Sequence, residues 1–264
     1  MTLAESFAAG RADDRALLLP YGMAGLPDTD ASVELFAAMA DAGADGFEVG
    51  IPYADPLMDG PVIQEAGTRA LAGGMTLTGG LDVTRRVRER TGLACFVMTY
   101  VNPILRMGVD AFTRSVADAG AEAIIIADLP VDEADPFREA AESAGIGLVA
   151  FAAPTTTDAR LDLIASWGPP FVYGIAEMGV TGERATASDR AGVLVERIRK
   201  RTAAPIALGV GISGPQAAAR AAAIADGVIV GSALVRRVLE ASRPAEAEAS
   251  LSQAVEELAA AMRR

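Results

Sequence analysis

Eight short runs rich in β-branched and aromatic residues recur along the chain at nearly even spacing. They are ALLLPYGM (16–23), GFEVGIPY (46–53), ACFVMTYV (94–101), EAIIIADL (122–129), GLVAFAAP (147–154), FVYGIAEM (171–178), PIALGVGI (205–212) and GVIVGSAL (227–234). Each is bounded by Gly, Pro or Asp, the residues that end strands and start turns. The intervening segments have helical period: Val33, Phe36, Ala37 and Ala40 share one face, as do Val109, Phe112 and Val116, and then Leu251, Val255, Leu258 and Met262. DAGADGFEV (41–49) and DAGAEAIII (118–126) repeat one device, a glycine after a last helical turn followed by a strand. Eight repeats over 264 residues allow 33 residues each, the length of one strand–helix step. The expectation is an α/β fold, a (β/α)8 barrel of the TIM type spanning 1–264 as a single domain, because no change of composition or linker divides the chain. A doubly wound parallel sheet is the competing architecture.

Composition narrows the function. With 51% hydrophobic residues the chain can bury one large core, and a net charge of −12 disfavours nucleic acid and anionic membranes as partners. No stretch approaches a membrane span, and MTLAESFAAGRADD lacks the basic head and apolar run of a signal peptide, so the expected location is the cytoplasm. The single cysteine, Cys95, cannot form an internal disulfide; it reads as buried packing rather than as a nucleophile, since no histidine exists to activate it. Histidine is absent altogether and Lys200 is the only lysine. Catalysis therefore falls to carboxylates, tyrosines or backbone amides.

The second run poses the sharpest question. Between Ala16 and Thr68 there is no Lys or Arg, yet Glu48 sits in mid-strand. Alternation places Phe47, Val49 and Ile51 on one face, and Glu48 with Gly46 and Gly50 on the other, which in a barrel points inward and would leave open space beside the carboxylate. A solvated glutamate at a barrel rim is the plain alternative. Asp55 and Asp59 follow in the loop beyond, at the face where barrel active sites form. Each alone reads as a turn former, and together with an inward Glu48 they offer an acid–base pair. At the other end of the chain, LGVGISG (208–214) and VGSALV (230–235) place glycines at two strand ends before helix starts, a pattern suited to phosphate held by backbone amides. GVGISG also matches a dinucleotide fingerprint, but the acidic ribose partner is missing.

The motifs FEVGIPYADPLMDGP, YVNPI, IADLP, GVTG, GVGIS and DGVIVGSALV closely resemble, in order and spacing from about Leu17 to Leu239, the tryptophan synthase alpha chain family. The resemblance implies retro-aldol cleavage of indole-3-glycerol phosphate to indole and glyceraldehyde 3-phosphate. It implies Glu48 as proton shuttle, Asp59 at the indole N–H and Tyr173 supporting the carboxylate. Tyr21 and Tyr100 would line the indole pocket, Ala127 (within IADLP) and Thr181 would contact substrate, and Gly182, Gly211, Gly231 and Ser232 would surround the phosphate. Pro52 and Asp55 would face a beta subunit that carries pyridoxal phosphate, in an alpha-beta-beta-alpha heterotetramer, with no cofactor or metal in this chain. The scarcities agree with that chemistry, since a Schiff-base aldolase needs a lysine at a strand end and zinc aldolases commonly use histidine. Three residues depart from the family pattern: Ala54 for Ser or Thr, Ala176 for a common Ser, and Glu177 where some members carry Arg. A stand-alone indole-producing lyase and a catalytically silent allosteric partner remain alternatives.

Overall fold

A computed structural model describes residues 1–175, 185–209 and 211–263, with the side chains of 185–189 left aside. Nine parallel strands form one sheet: β1 Leu17–Met23, β2 Gly46–Gly50, β3 Ala94–Thr99, β4 Ala123–Ile126, β5 Gly147–Leu148, β6 Ala150–Ala152, β7 Val172–Ile175, β8 Ile206–Gly209 and β9 Gly227–Val230. Their order is β5-β4-β3-β2-β1-β9-β8-β7-β6, so the two ends of the sheet are consecutive in the chain. The fifth expected strand is thus split in two. Gly147 and Leu148 pair with Ala123 and Ile124, whereas Ala150, Phe151 and Ala152 pair with Val172, Tyr173 and Gly174. Val149 between them donates its N–H to the Ile124 carbonyl at 2.9 Å, and the barrel closes through this broken segment. A doubly wound sheet would leave its two end strands far apart, whereas here β5 and β6 are separated by Val149 alone.

The described helices sort into the predicted pattern, with second helices after β2, β3 and β9 and one addition ahead of β1. Asp28 caps the helix Thr29–Asp41 by accepting from the Ala31 N–H at 2.8 Å, and the repeated device closes its helices with Gly43 and Gly120 at positive φ. Phe36 and Phe47 meet edge to face at 5.2 Å where that helix covers β2, placing Phe47 and Val49 outward as alternation requires. Burial of each such side chain contributes about 1.5–3 kcal/mol. The addition is Leu3–Ala12, a helix opened by a capping box between Thr2 and Glu5. Its Leu3 and Phe7 join Leu17, Leu19, Phe96 and Phe171 in the inner core, so this helix plugs the barrel floor and leaves the opposite mouth open. Cys95 is fully buried, and loss of solvent pushes its thiol up to about 12, as expected of packing. Among the described residues no helix is long and apolar enough to cross a membrane.

Candidate active site

The open mouth leads into a cavity of about 970 Å³. Glu48 projects into it from the middle of β2, in register with Tyr21 of β1 and Phe96 of β3, and is 3% exposed. The space expected beside it is filled. A side chain at Gly50 would run into the Tyr21 ring, and one at Gly46 would come within 3.2 Å of Leu19. The glycines therefore admit neighbouring side chains rather than leave a void, consistent with close packing. Across the barrel the same arrangement recurs, since a side chain at Gly209 on β8 would strike the Tyr173 ring on β7. Both tyrosines line the cavity together with Glu48.

Asp59 enters from the loop that follows β2, half-buried on the same cavity wall. The loop is braced by the Asp59 N–H donating to the Pro56 carbonyl at 3.0 Å and by Gln64 donating to the Asp59 carbonyl at 2.9 Å. Tyr100 stands in a recess that shares Tyr21, Asp59, Ile63 and Met98 with the main cavity. It is absent from the wall of the main cavity and backs this small recess with Asp59, where its hydroxyl accepts from the Met58 N–H at 3.3 Å. Its ring packs on Tyr53 at 5.3 Å, and Asn102 donates to the Tyr53 hydroxyl at 2.9 Å. Tyr100 thus holds the Asp59 loop from behind.

Electrostatics separate the two carboxyls. Burial, followed by the negative charge of Asp59, raises Glu48 to about 8, and its Oε2 is buried without a hydrogen-bond partner. Burial raises Asp59 to about 6, with the Tyr100 hydroxyl opposing the rise. Glu48 thus holds its proton more tightly than Asp59, the ordering that lets a single pair supply both an acid and a base near neutral pH. Burial and the charges of Glu48 and Asp59 keep the Tyr173 hydroxyl protonated, although no hydrogen bond joins it to Glu48.

Ala127, Gly211, Gly231 and Ser232 also line the cavity. Gly211 has φ +74°, which a side chain resists. Gly214 and Gly231 begin the helices Pro215–Ala222 and Ser232–Glu240, and neither helix start carries a side-chain cap, so N–H groups of the first turn, from Gln216 on in the first helix and from Ser232 on in the second, can meet an anion. Thr181 and Gly182, with Ala176 and Glu177, lie outside the described residues. Pro52 is buried, so of the two expected partner contacts only Asp55 is presented, beside Leu57 at 78% and Met58 at 61% exposure. The sequence reading missed the apolar wall of Met98, Phe151, Ile175 and Ile229, although alternation in GLVAFAAP and the neighbouring runs carried that signal. It also missed that the cavity runs on between the helices Ser232–Glu240 and Pro244–Ala261, past Arg236, Arg237 and Glu257. Among the described residues no group of three or more His, Cys, Asp or Glu is placed to hold a metal ion.

Comparisons with known proteins agree on one family. The model of the tryptophan synthase alpha chain family matches residues 7–263. The tryptophan synthase alpha chain of Streptomyces avermitilis is 44% identical over 97% of this chain and 91% of its own, and that of Thermobifida fusca is 44% identical over 99% and 97%. A solved tryptophan synthase structure from Mycobacterium tuberculosis superposes with a TM-score of 0.89 at 39% identity, covering 99% of this chain and 98% of that one. With its barrel, its mouth and nearly its whole length accounted for in this way, the chain belongs to the tryptophan synthase alpha chain family.

Proposed function

We propose that Glu48 and Asp59 carry out in this chain the reaction of its family, the cleavage of indole-3-glycerol phosphate to indole and glyceraldehyde 3-phosphate. The observation that carries this reading is the difference between two carboxyls on one wall, Glu48 raised to about 8 and Asp59 to about 6. Protonated Glu48 delivers its proton to indole C3 while ionised Asp59 accepts a hydrogen bond from the indole N–H, so positive charge develops beside a carboxylate. The ring is then an electron sink. Glu48, now ionised, takes the proton from the side-chain hydroxyl next to C3; the bond from that carbon to C3 breaks and its electrons return to the ring. The hydroxyl carbon becomes the aldehyde, C3 keeps the delivered proton, and Glu48 ends as it began. Tyr21 and Tyr173 flank the ring, with Tyr173 helping to hold the carboxylate in place. Ala127 and Thr181 contact the substrate, and amides near Gly182, Gly211, Gly231 and Ser232 bind the phosphate.

The chain is proposed to work as a single domain over residues 1–264 in the cytoplasm, with a beta subunit that carries the pyridoxal phosphate and converts the indole to tryptophan, two copies of each forming the heterotetramer. Support comes from the exposed loop after β2, which presents Asp55, Leu57 and Met58, and from Leu105, 56% exposed, on the segment that Asn102 and Tyr100 tie to that loop. Large exposed apolar side chains grouped in this way mark a protein-binding surface. The test is turnover of indole-3-glycerol phosphate by the purified chain, titrated with its beta subunit. Cleavage that rises on titration is expected. Full cleavage with no response to the partner favours the stand-alone lyase, and no cleavage under any condition overturns the reading.

A further inference from the structure

We propose that Arg236 is a positioning residue for the substrate phosphate, drawing the dianion toward the starts of the two uncapped helices; this rests on the function proposed above. Arg236 lies four residues after Ser232 in the helix Ser232–Glu240, hence on the same helix face one turn on, and both residues line the cavity. Side chains on a helix lean toward its N-terminus, which carries the guanidinium back toward the turn where Gly231 and Ser232 open the helix.

The surroundings make such a charge consequential. Among the described residues the cavity wall carries five carboxyls (Glu48, Asp59, Glu240, Glu246 and Glu257) and two guanidiniums (Arg236 and Arg237). An incoming phosphate therefore meets a wall with more acidic than basic groups, on a chain of net charge −12. Arg237 is committed elsewhere, donating to the Ser250 hydroxyl at 2.9 Å and to its carbonyl at 3.5 Å. Arg236 has no hydrogen-bond or ion-pair partner among the described residues, and it is exposed. An untied guanidinium offers a planar fork to phosphate oxygens that backbone amides alone do not. Charges at a cavity mouth also raise the local concentration of an oppositely charged substrate, in a manner that salt suppresses.

The experiment uses the full chain with its beta subunit and compares wild type, Arg236→Gln and Arg236→Lys. Cleavage of indole-3-glycerol phosphate is followed over a range of salt, and binding of inorganic phosphate and glycerol 3-phosphate is measured directly by calorimetry. Arg236→Gln is expected to raise KM about five-fold at low salt, to leave kcat within about two-fold, and to flatten the salt dependence of kcat/KM. Both phosphates should bind the Gln variant more weakly by a similar factor, and Arg236→Lys should recover most of the loss. Unchanged KM and phosphate affinity in the Gln variant overturn the proposal. So does an equal KM rise at every salt concentration that Lys fails to rescue, because that pattern belongs to a displaced helix. Wild type that binds phosphate without cleaving substrate contradicts the assigned reaction and leaves the Arg236 comparison readable in the binding arm. Wild type that binds neither phosphate contradicts both.

Discussion

Across the mouth of the barrel, β2 and its loop present carboxyls of raised proton affinity, whereas the ends of β8 and β9 present uncapped helix starts. The first side depends on side chains and on the exclusion of water, since burial is the leading cause of both shifts. The second depends on main-chain conformation, as Gly211 at φ +74° illustrates. Proton transfer needs groups that change charge, and the absence of any Lys or Arg from 16 to 68 leaves Glu48 with no nearby cation in sequence to fix it as an anion. Anion binding needs fixed donors, which the backbone supplies without titrating. In the proposed function one half of the mouth thus serves chemistry and the other grip.

Breaking the chemical half should have the largest effect. Glu48→Gln and Asp59→Asn are each expected to lower kcat by about 10²–10⁴-fold with the fold retained, as circular dichroism and thermal melting would check. Near wild-type turnover in either variant would remove that residue from the acid–base pair. The pH profile sharpens the same half. Glu48 must hold its proton and Asp59 must have lost its own, so kcat/KM should fall about ten-fold per unit as pH rises beyond about 8 or drops below about 6. A profile flat from pH 5 to about 9 would contradict the pairing.

The gripping half should respond differently. Gly211→Ala is expected to raise KM by roughly ten-fold with a smaller change in kcat, because a side chain there strains the backbone and crowds the anion. A loss confined to kcat would place the phosphate elsewhere. The smallest effect is reserved for the outer loop. Leu57→Ala should leave the isolated chain's turnover within about two-fold and weaken the activating response to the beta subunit several-fold, the effect of losing an interface contact that contributes about 1 kcal/mol. An unchanged titration curve would show that the partner docks on another surface.

Much of this division was legible in the sequence, because it rests on periodicity. Two-residue alternation put Glu48 inward and Phe47 outward, and 33-residue spacing gave the barrel. What alternation cannot show is which neighbour occupies the gap beside a glycine. Tyr21 beside Gly50 and Tyr173 beside Gly209 are cross-strand matters of register, set by how β1 pairs with β2 and β7 with β8. The place of Tyr100 is of the same kind, since the loop fold sets it beside Asp59 in a recess that adjoins the main cavity. The split at Val149 is equally non-local, since only closure of the sheet requires one short run to pair with two different strands. The N-terminal helix was overlooked because its large apolar residues are few, Leu3 and Phe7 standing among alanines. Leu3 and Phe7 gain meaning only once a barrel floor exists for them to cover.

Glu48 also has a consequence for the energetics of the whole chain. Its proton affinity falls from about 8 in the fold to the ordinary glutamate value of 4.5 when the chain unfolds. At neutral pH, folding therefore takes up close to one proton at this position, and unfolding releases it. The sign follows directly: the contribution is full below the unfolded value and is lost as pH rises through the folded one, so this residue makes the protein less stable toward the alkaline side. Calorimetric unfolding near pH 7 should accordingly show an enthalpy that depends on the ionisation heat of the buffer, and Glu48→Gln should abolish that part of the dependence. Alkali that silences the enzyme by stripping Glu48 would loosen its barrel through the same ionisation.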